Sequence, residues 1–189
     1  MDKINRKIIK FLELNGRISY EEIGRKLGIT GIAVKKRIKK LIDNDIISIN
    51  LQLNVEKLGY YLNLILLEID NKSNLNLFIK TFEKCPRIIS LFIGLSGFNL
   101  IALVIAEDRM TLESELLGNC SLRTRKGIRR TEVIQFERKL YFPYLPVRNF
   151  LATRDKEKAP CGADCVSCER LKFNKCLGCP ATKVYRGDL

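Results

Sequence analysis

Across 189 residues, 34 Lys and Arg stand against 21 Asp and Glu, a formal net charge of +13, and a surplus of that size favours a polyanionic partner because each phosphate neutralised releases condensed counterions. Hydrophobic residues at 46% and charged residues at 29% exclude a disordered chain, and no run approaches the roughly 18 apolar residues of a membrane helix. With no histidine present, His-based catalysis and His metal ligands are excluded.

The chain opens with Ile4, Ile8, Ile9, Leu12 and Leu14 at helical spacing, which predicts an amphipathic helix ending near Asn15-Gly16. Ser19, with Glu22 three residues later, reads as a capping box for a short second helix that stops at Gly28. Gly28-Ile29-Thr30 forms a tight turn, with Thr30 placed to cap a third helix whose buried stripe is Val34, Ile38, Leu41 and Ile42. Asp43-Asn44-Asp45 ends that helix, and Ile46-Ile47-Ser48-Ile49 begins a strand. Two helices joined by a short turn and followed by a β-wing predict a winged helix-turn-helix over residues 1–57.

The third helix carries a second pattern. Lys35, Lys36, Lys39 and Lys40 lie away from the buried stripe, with Arg37 at its edge. An ordinary surface helix intersperses acids at i+4, whereas five cations and no acid stand between Gly31 and Ile42. Residues 1–50 hold twelve Lys and Arg against six Asp and Glu, so the positive surplus is strongest at the front. The plain alternative is a solvated lysine face. The placement after a helix-turn-helix turn favours nucleic-acid binding.

Residues 60–69 (YYLNLILLEI) read as a buried strand, and 73–84 as a helix with Leu75, Leu77, Phe78 and Phe82 inward. Strands follow at 88–94 and 98–106, joined by a hairpin turn at Leu95-Ser96-Gly97. A helix over 109–118 and a strand over 128–137 complete a βαββαβ order, which is the ferredoxin-like arrangement, over residues 58–142. The fold class is therefore α+β.

Residues 143–160, with Pro143, Pro146, Pro160 and the charged run Arg154–Lys158, read as a linker. Beyond it, residues 161–189 form a Cys-rich tail with Cys161, Cys165, Cys168, Cys176 and Cys179, too small to build its own core. The absence of a signal-peptide core in MDKINRKIIKFLE predicts a cytoplasmic protein, where cysteines read as metal ligands before disulfides. Cys165/Cys168 and Cys176/Cys179 are two C-x2-C knuckles, the second turned by Gly178, and four thiolates make a closed zinc site with Cys161 spare or substituting. Arg170, Lys172, Lys175 and Lys183 would offset its negative charge. An iron–sulfur cluster is the alternative, since Cys161-x3-Cys165-x2-Cys168 has the triad spacing of radical-SAM enzymes and Cys179-Pro180 that of ferredoxin ligands. Free thiols are the bland reading. Cys85 and Cys120 lie apart in sequence and read as buried small hydrophobes.

Taken together, Asp2, Ile8-Ile9, Asn15-Gly16-Arg17-Ile18-Ser19, Gly28-Ile29-Thr30, the run Val34–Leu41, Asp45-Ile46-Ile47 and the later Gly97-Phe98-Asn99-Leu100 resemble, in order, the motifs of the Lrp/AsnC (feast/famine) regulators over about residues 1–137. Two positions depart: Asn99 stands where the family has Asp, beside its small-molecule pocket, and Asn44-Asp45 replaces a Gly before the wing. The resemblance implies a non-enzymatic, sequence-specific transcriptional regulator that binds palindromic double-stranded DNA as a homodimer or a higher homo-oligomer. It places Thr30, Lys35 and Lys36 toward base edges, Lys39 and Lys40 toward phosphates with Arg37 beside them, and Arg17 at the backbone. The metal tail would then act as a structural clip or as a metal or redox sensor, or would recruit a partner. Sirohaem decarboxylases resemble the same two-domain architecture, but their haem chemistry uses histidine, which this chain lacks.

Overall fold

A computed structural model describes residues 1–95, 97–137 and 140–189, which divide into the units Met1–Asn50 and Leu51–Leu189. The first unit is built of α1 (Lys3–Leu14), α2 (Tyr20–Leu27) and α3 (Gly31–Asp43). Each helix starts on a side-chain cap that satisfies an otherwise unpaired N–H. Asp2 accepts from the Asn5 amide at 2.7 Å, Ser19 from Glu22 at 3.1 Å and Thr30 from Ala33 at 3.2 Å. Gly28 closes α2 in the left-handed region at φ +68°, a conformation that a side chain would strain.

Ile8, Ile23, Val34 and Ile38 form the centre of this unit. Leu41 is also buried, but Ile42 and Leu14 are exposed; both sit in the last turn of their helices. Gly24 is the tightest point. A Cβ built there would lie 2.6 Å from the Ile29 carbonyl oxygen and 3.0 Å from the Gly31 amide, so α2 and the turn into α3 touch backbone to backbone. Gly24→Ala is expected to destabilise this unit by about 1–3 kcal/mol through overpacking. A urea midpoint unchanged from the parent chain would show that the turn relaxes freely.

The expected wing is corrected. Ile46–Ile49 is not a strand among the described residues, because a strand needs a ladder partner and these amides turn back on α3. Ile46 and Ile47 both donate to the Leu41 carbonyl, at 2.9 and 3.4 Å. The first unit is thus a helix-turn-helix without a paired wing.

The second unit contains β1 (Leu53–Asn54), β2 (Tyr61–Ile69), α4 (Lys72–Phe82), β3 (Ile88–Ile93), β4 (Leu100–Ala106), α5 (Arg109–Leu117), β5 (Ile128–Gln135), β6 (Tyr144–Leu145) and the short α6 (Glu169–Lys172). Four strands pair antiparallel in the order β3-β4-β2-β5, and β1 pairs with β6. The βαββαβ order expected from the sequence is the order found. Ser96 of the expected hairpin turn lies outside the described residues, as do Arg138 and Lys139.

One sheet face carries Ile65, Leu67, Leu100, Ala102 and Val104, covered by Phe78 and Phe82 of α4 and Leu112 of α5. Leu77 is turned outward instead, 63% exposed, since it stands next to Phe78 and a helix buries only one side. The segment read as a linker is packed rather than free: Ala159 is buried and Arg148 donates to the Ile88 carbonyl at 3.2 Å. The tail continues across both faces of the sheet. Cys161, Cys165 and Leu171 join the helix-covered core, while Tyr185 and Leu189 pack on the opposite face with Leu62 and Ile105.

Candidate functional site

The cationic face of α3 is open. Lys35, Lys36, Lys39 and Lys40 are exposed, and none of them is in an ion pair among the described residues. Arg17 and Thr30 are exposed beside the turns that lead into α2 and α3, with Thr30 also serving as the α3 cap. Arg37 is used differently. Its Nη1 donates to Asp2 Oδ2 at 2.5 Å and to Asn5 Oδ1 at 3.0 Å, so it ties α3 to the start of α1. The Asn5 amide and then the Arg37 guanidinium hold the Asp2 carboxyl below its ordinary pKa. Four lysines therefore make the charged surface, and Arg37 fixes the helix that bears them.

The five tail cysteines come together around one cavity of about 60 Å³, and Cys85 and Cys120 line it as well. The latter two are not set apart from the tail, as their sequence positions suggested. All seven are free thiols. Gly178, at φ +86°, lets its amide point back into the second knuckle, 3.4 Å from Cys176 Sγ. Burial nonetheless dominates and pushes the Cys85 and Cys179 thiols up to about 12, so a metal would have to displace their protons. Among the described residues, no three Cys, Asp or Glu side chains are drawn together as a ready ligand group for one ion. Of the expected counter-charges, Lys183 pairs with Glu157 and Arg170 reaches α5, where its Nε donates to Ser114 Oγ at 2.5 Å.

Residues 1–42 match the AsnC-type helix-turn-helix domain. The chain is 28% identical over 134 residues to PF2053, an uncharacterized HTH-type transcriptional regulator of Pyrococcus furiosus, covering 70% of this chain and 90% of that protein. It is also 28% identical over 109 residues to the HTH-type transcriptional regulator Ptr1 of Methanocaldococcus jannaschii, covering 57% of this chain and 74% of that one. Over residues 1–42 the chain belongs to the AsnC-type helix-turn-helix domains, and over most of its length it is similar to HTH-type transcriptional regulators. Its fold is similar to that of Escherichia coli AsnC, with a TM-score of 0.65 at 17% identity over 75% of this chain and 95% of the other. The relatives named here are transcriptional regulators, not enzymes.

Asn99 spends its side chain on the backbone. Its Oδ1 accepts from the Ile69 amide at 2.8 Å and its Nδ2 donates to the Ile69 carbonyl at 2.7 Å. An aspartate has no such donor when ionised, so Asn here bonds both backbone groups where Asp would bond one.

Reading the sequence missed a buried polar group in the second unit. Arg87 donates to Glu107 through Nε at 3.0 Å and Nη2 at 3.1 Å, and Glu115 Oε1 lies 3.3 Å from Arg87 Nε. Glu115 is buried and its oxygens accept no hydrogen bond among the described residues. Burial holds its carboxyl well above the usual carboxylate range, with Arg87 opposing. Glu107 also receives the Tyr185 hydroxyl, and Tyr185 in turn accepts from the Leu189 amide at 2.7 Å. The available signal was α5 itself: Thr111, Ser114 and Glu115 fall at i, i+3 and i+4, a polar side where an apolar stripe belongs. The tail covers that side. Thr111 Oγ1 accepts from the Leu177 amide at 3.0 Å and Ser114 Oγ donates to the Lys175 carbonyl at 2.8 Å.

Proposed function

We propose that this regulator binds double-stranded DNA sequence-specifically by seating α3 in the major groove, acting as a homodimer or a higher homo-oligomer. The observation that carries the reading is the row of four exposed lysines, unpaired among the described residues, on the helix that follows the Gly28 turn. Thr30, Lys35 and Lys36, nearer the N-terminus of α3, face base edges, while Lys39 and Lys40 meet phosphates and Arg17 meets the backbone. Arg37 acts by holding α3 through Asp2 and Asn5. Lysine is a point charge rather than a rigid fork, so phosphate attraction outweighs bidentate guanine reading. Assembly with a second copy is supported by exposed apolar side chains on the second unit, among them Leu77, Phe92 and Ile93.

The tail forms the second part of the reading. Its five cysteines hold a metal centre, zinc or an iron–sulfur cluster, that acts as a structural clip or as a metal or redox sensor. The amide aimed at Cys176 Sγ and the cavity shared by all five support it.

The test for DNA binding is a salt titration of the full chain on duplexes selected from a random pool. Log affinity should fall against log salt with a slope of roughly −0.9 per phosphate engaged, about −3 for Lys39, Lys40 and Arg17 on one subunit. A slope near zero, or no enrichment of any duplex, would overturn the interface.

A further inference from the structure

We infer that Cys85 and Cys120 complete the site of the tail cysteines and that the site takes a polynuclear iron–sulfur cluster rather than a single zinc ion. The inference rests on the metal-centre reading above and deepens it.

Three observations carry it. First, thiols converge from distant parts of the chain. Cys85 follows α4, Cys120 follows α5, and both line the cavity that the five tail cysteines line. A single tetrahedral ion is saturated by four thiolates, and the two knuckles alone would supply those. A cluster likewise takes four thiolates, and what separates the two is spacing: among the described residues no three of the sulfurs are drawn together for one ion, whereas a cluster is held from around its outside.

Second, the space fits a larger body. Zinc draws its sulfurs to about 2.3 Å and leaves nothing between them. The cavity here measures about 60 Å³, several times the roughly 10–15 Å³ that one water requires. A cluster with its own bridging sulfides fills such a volume, and thiolates bind its iron atoms from around the outside.

Third, the surroundings are built for a negatively charged, sulfur-rich guest. Arg87 and Arg170 line the cavity, and Arg125 donates to the Cys161 carbonyl at 3.2 Å. The backbone amide of Gly178 is aimed at Cys176 Sγ, 3.4 Å away. Hydrogen bonds to sulfur and nearby charge set the stability and potential of such clusters. Glu115 also lines the cavity, 8% exposed, with neither oxygen accepting a hydrogen bond among the described residues. With thiols contributed by both the tail and the sheet, the cluster would join them at one point.

The experiment is anaerobic reconstitution of the full chain with ferric iron and sulfide under a thiol reductant, and in parallel with zinc alone. Iron, sulfide and zinc per chain are then measured together with the visible spectrum. Stoichiometric iron and sulfide with broad absorption near 400 nm (about where thiolate-bound iron absorbs) are expected. One zinc per chain with no retained sulfide overturns the cluster and leaves the metal-centre reading standing. Retention of neither metal overturns both.

Participation of the two sheet-unit thiols is tested separately. Cys85→Ser/Cys120→Ser should retain less than about half the iron and sulfide of the parent chain, with an unaltered far-ultraviolet dichroism spectrum. Full retention overturns their part in the site. Because that variant can fail to fold, alkylation of the unaltered chain gives a second reading. Cys85 and Cys120 should be protected on cluster loading to the same degree as the tail cysteines, and equal labelling of both before and after loading excludes them.

Discussion

Arg87→Met is expected to destabilise the second unit by about 3–5 kcal/mol, the cost of leaving buried carboxylates without their countercharge. The Arg87, Glu107 and Glu115 side chains are 6%, 7% and 10% exposed, so water cannot replace the lost guanidinium. The two-pronged bond to Glu107 would go, together with the 3.3 Å approach to Glu115. Glu115 is already pushed toward its protonated form by burial, so the larger part of the loss falls on Glu107. That residue also accepts from Tyr185, and the tail's last residues should loosen with it. Urea unfolding of the full chain measures the change. The mechanism makes a further demand: Arg87→Met/Glu107→Gln/Glu115→Gln should recover most of the lost stability, because no uncompensated charge then remains. A triple variant as unstable as Arg87→Met would mean that packing of the arginine, and not its charge, is what matters.

Lys35→Ala/Lys36→Ala should weaken binding to a selected duplex by about 10–100-fold. A base contact by a single ammonium lies at the low end of roughly 1–3 kcal/mol, so the pair is worth about 2 kcal/mol, and a tenfold loss is about 1.4 kcal/mol. Lys39→Ala/Lys40→Ala makes the informative comparison. If these two meet phosphates, their loss should reduce affinity for all duplexes alike and make the salt slope shallower by about 2 for each bound subunit. The first pair should instead narrow the gap between selected and random duplexes. Indistinguishable behaviour of the two pairs would remove the assignment of base and phosphate roles along α3. Arg37→Ala serves as a control, since its guanidinium is engaged with Asp2 and Asn5; it should act through the placement of α3 and leave the salt slope close to that of the parent.

The parts of this fold that were legible in the sequence are those governed by short-range rules. Ser19 and Thr30 cap helices because each side chain reaches an amide three residues on. The lysines of α3 were legible because a helical period alone separates them from Val34, Ile38 and Leu41. What failed was decided by distant partners. Ile46–Ile49 has strand-forming residues but no ladder partner among the described residues, so propensity did not make it a wing. Ile42 and Leu77 were read inward from spacing, but each stands beside a residue, Leu41 or Phe78, that takes the buried side of its helix. Arg87, Glu107 and Glu115 were invisible as a group, since twenty or more residues separate Arg87 from its partners. The polar side of α5 made sense only once residues about 60 further along were seen to bond it. Cys85 and Cys120 were set aside for the same reason: sequence distance hid a shared cavity.

The course of the tail across both sheet faces has a kinetic meaning. One stretch is held beside α5 with Cys161, Cys165 and Leu171, and the other beneath the opposite face with Tyr185 and Leu189. Peeling it away requires two separate openings to coincide, and the probability of the joint event is near the product of the two. A protease or an oxidant would therefore meet a buckle fastened at both ends, where either fastening can re-close while the other is undone.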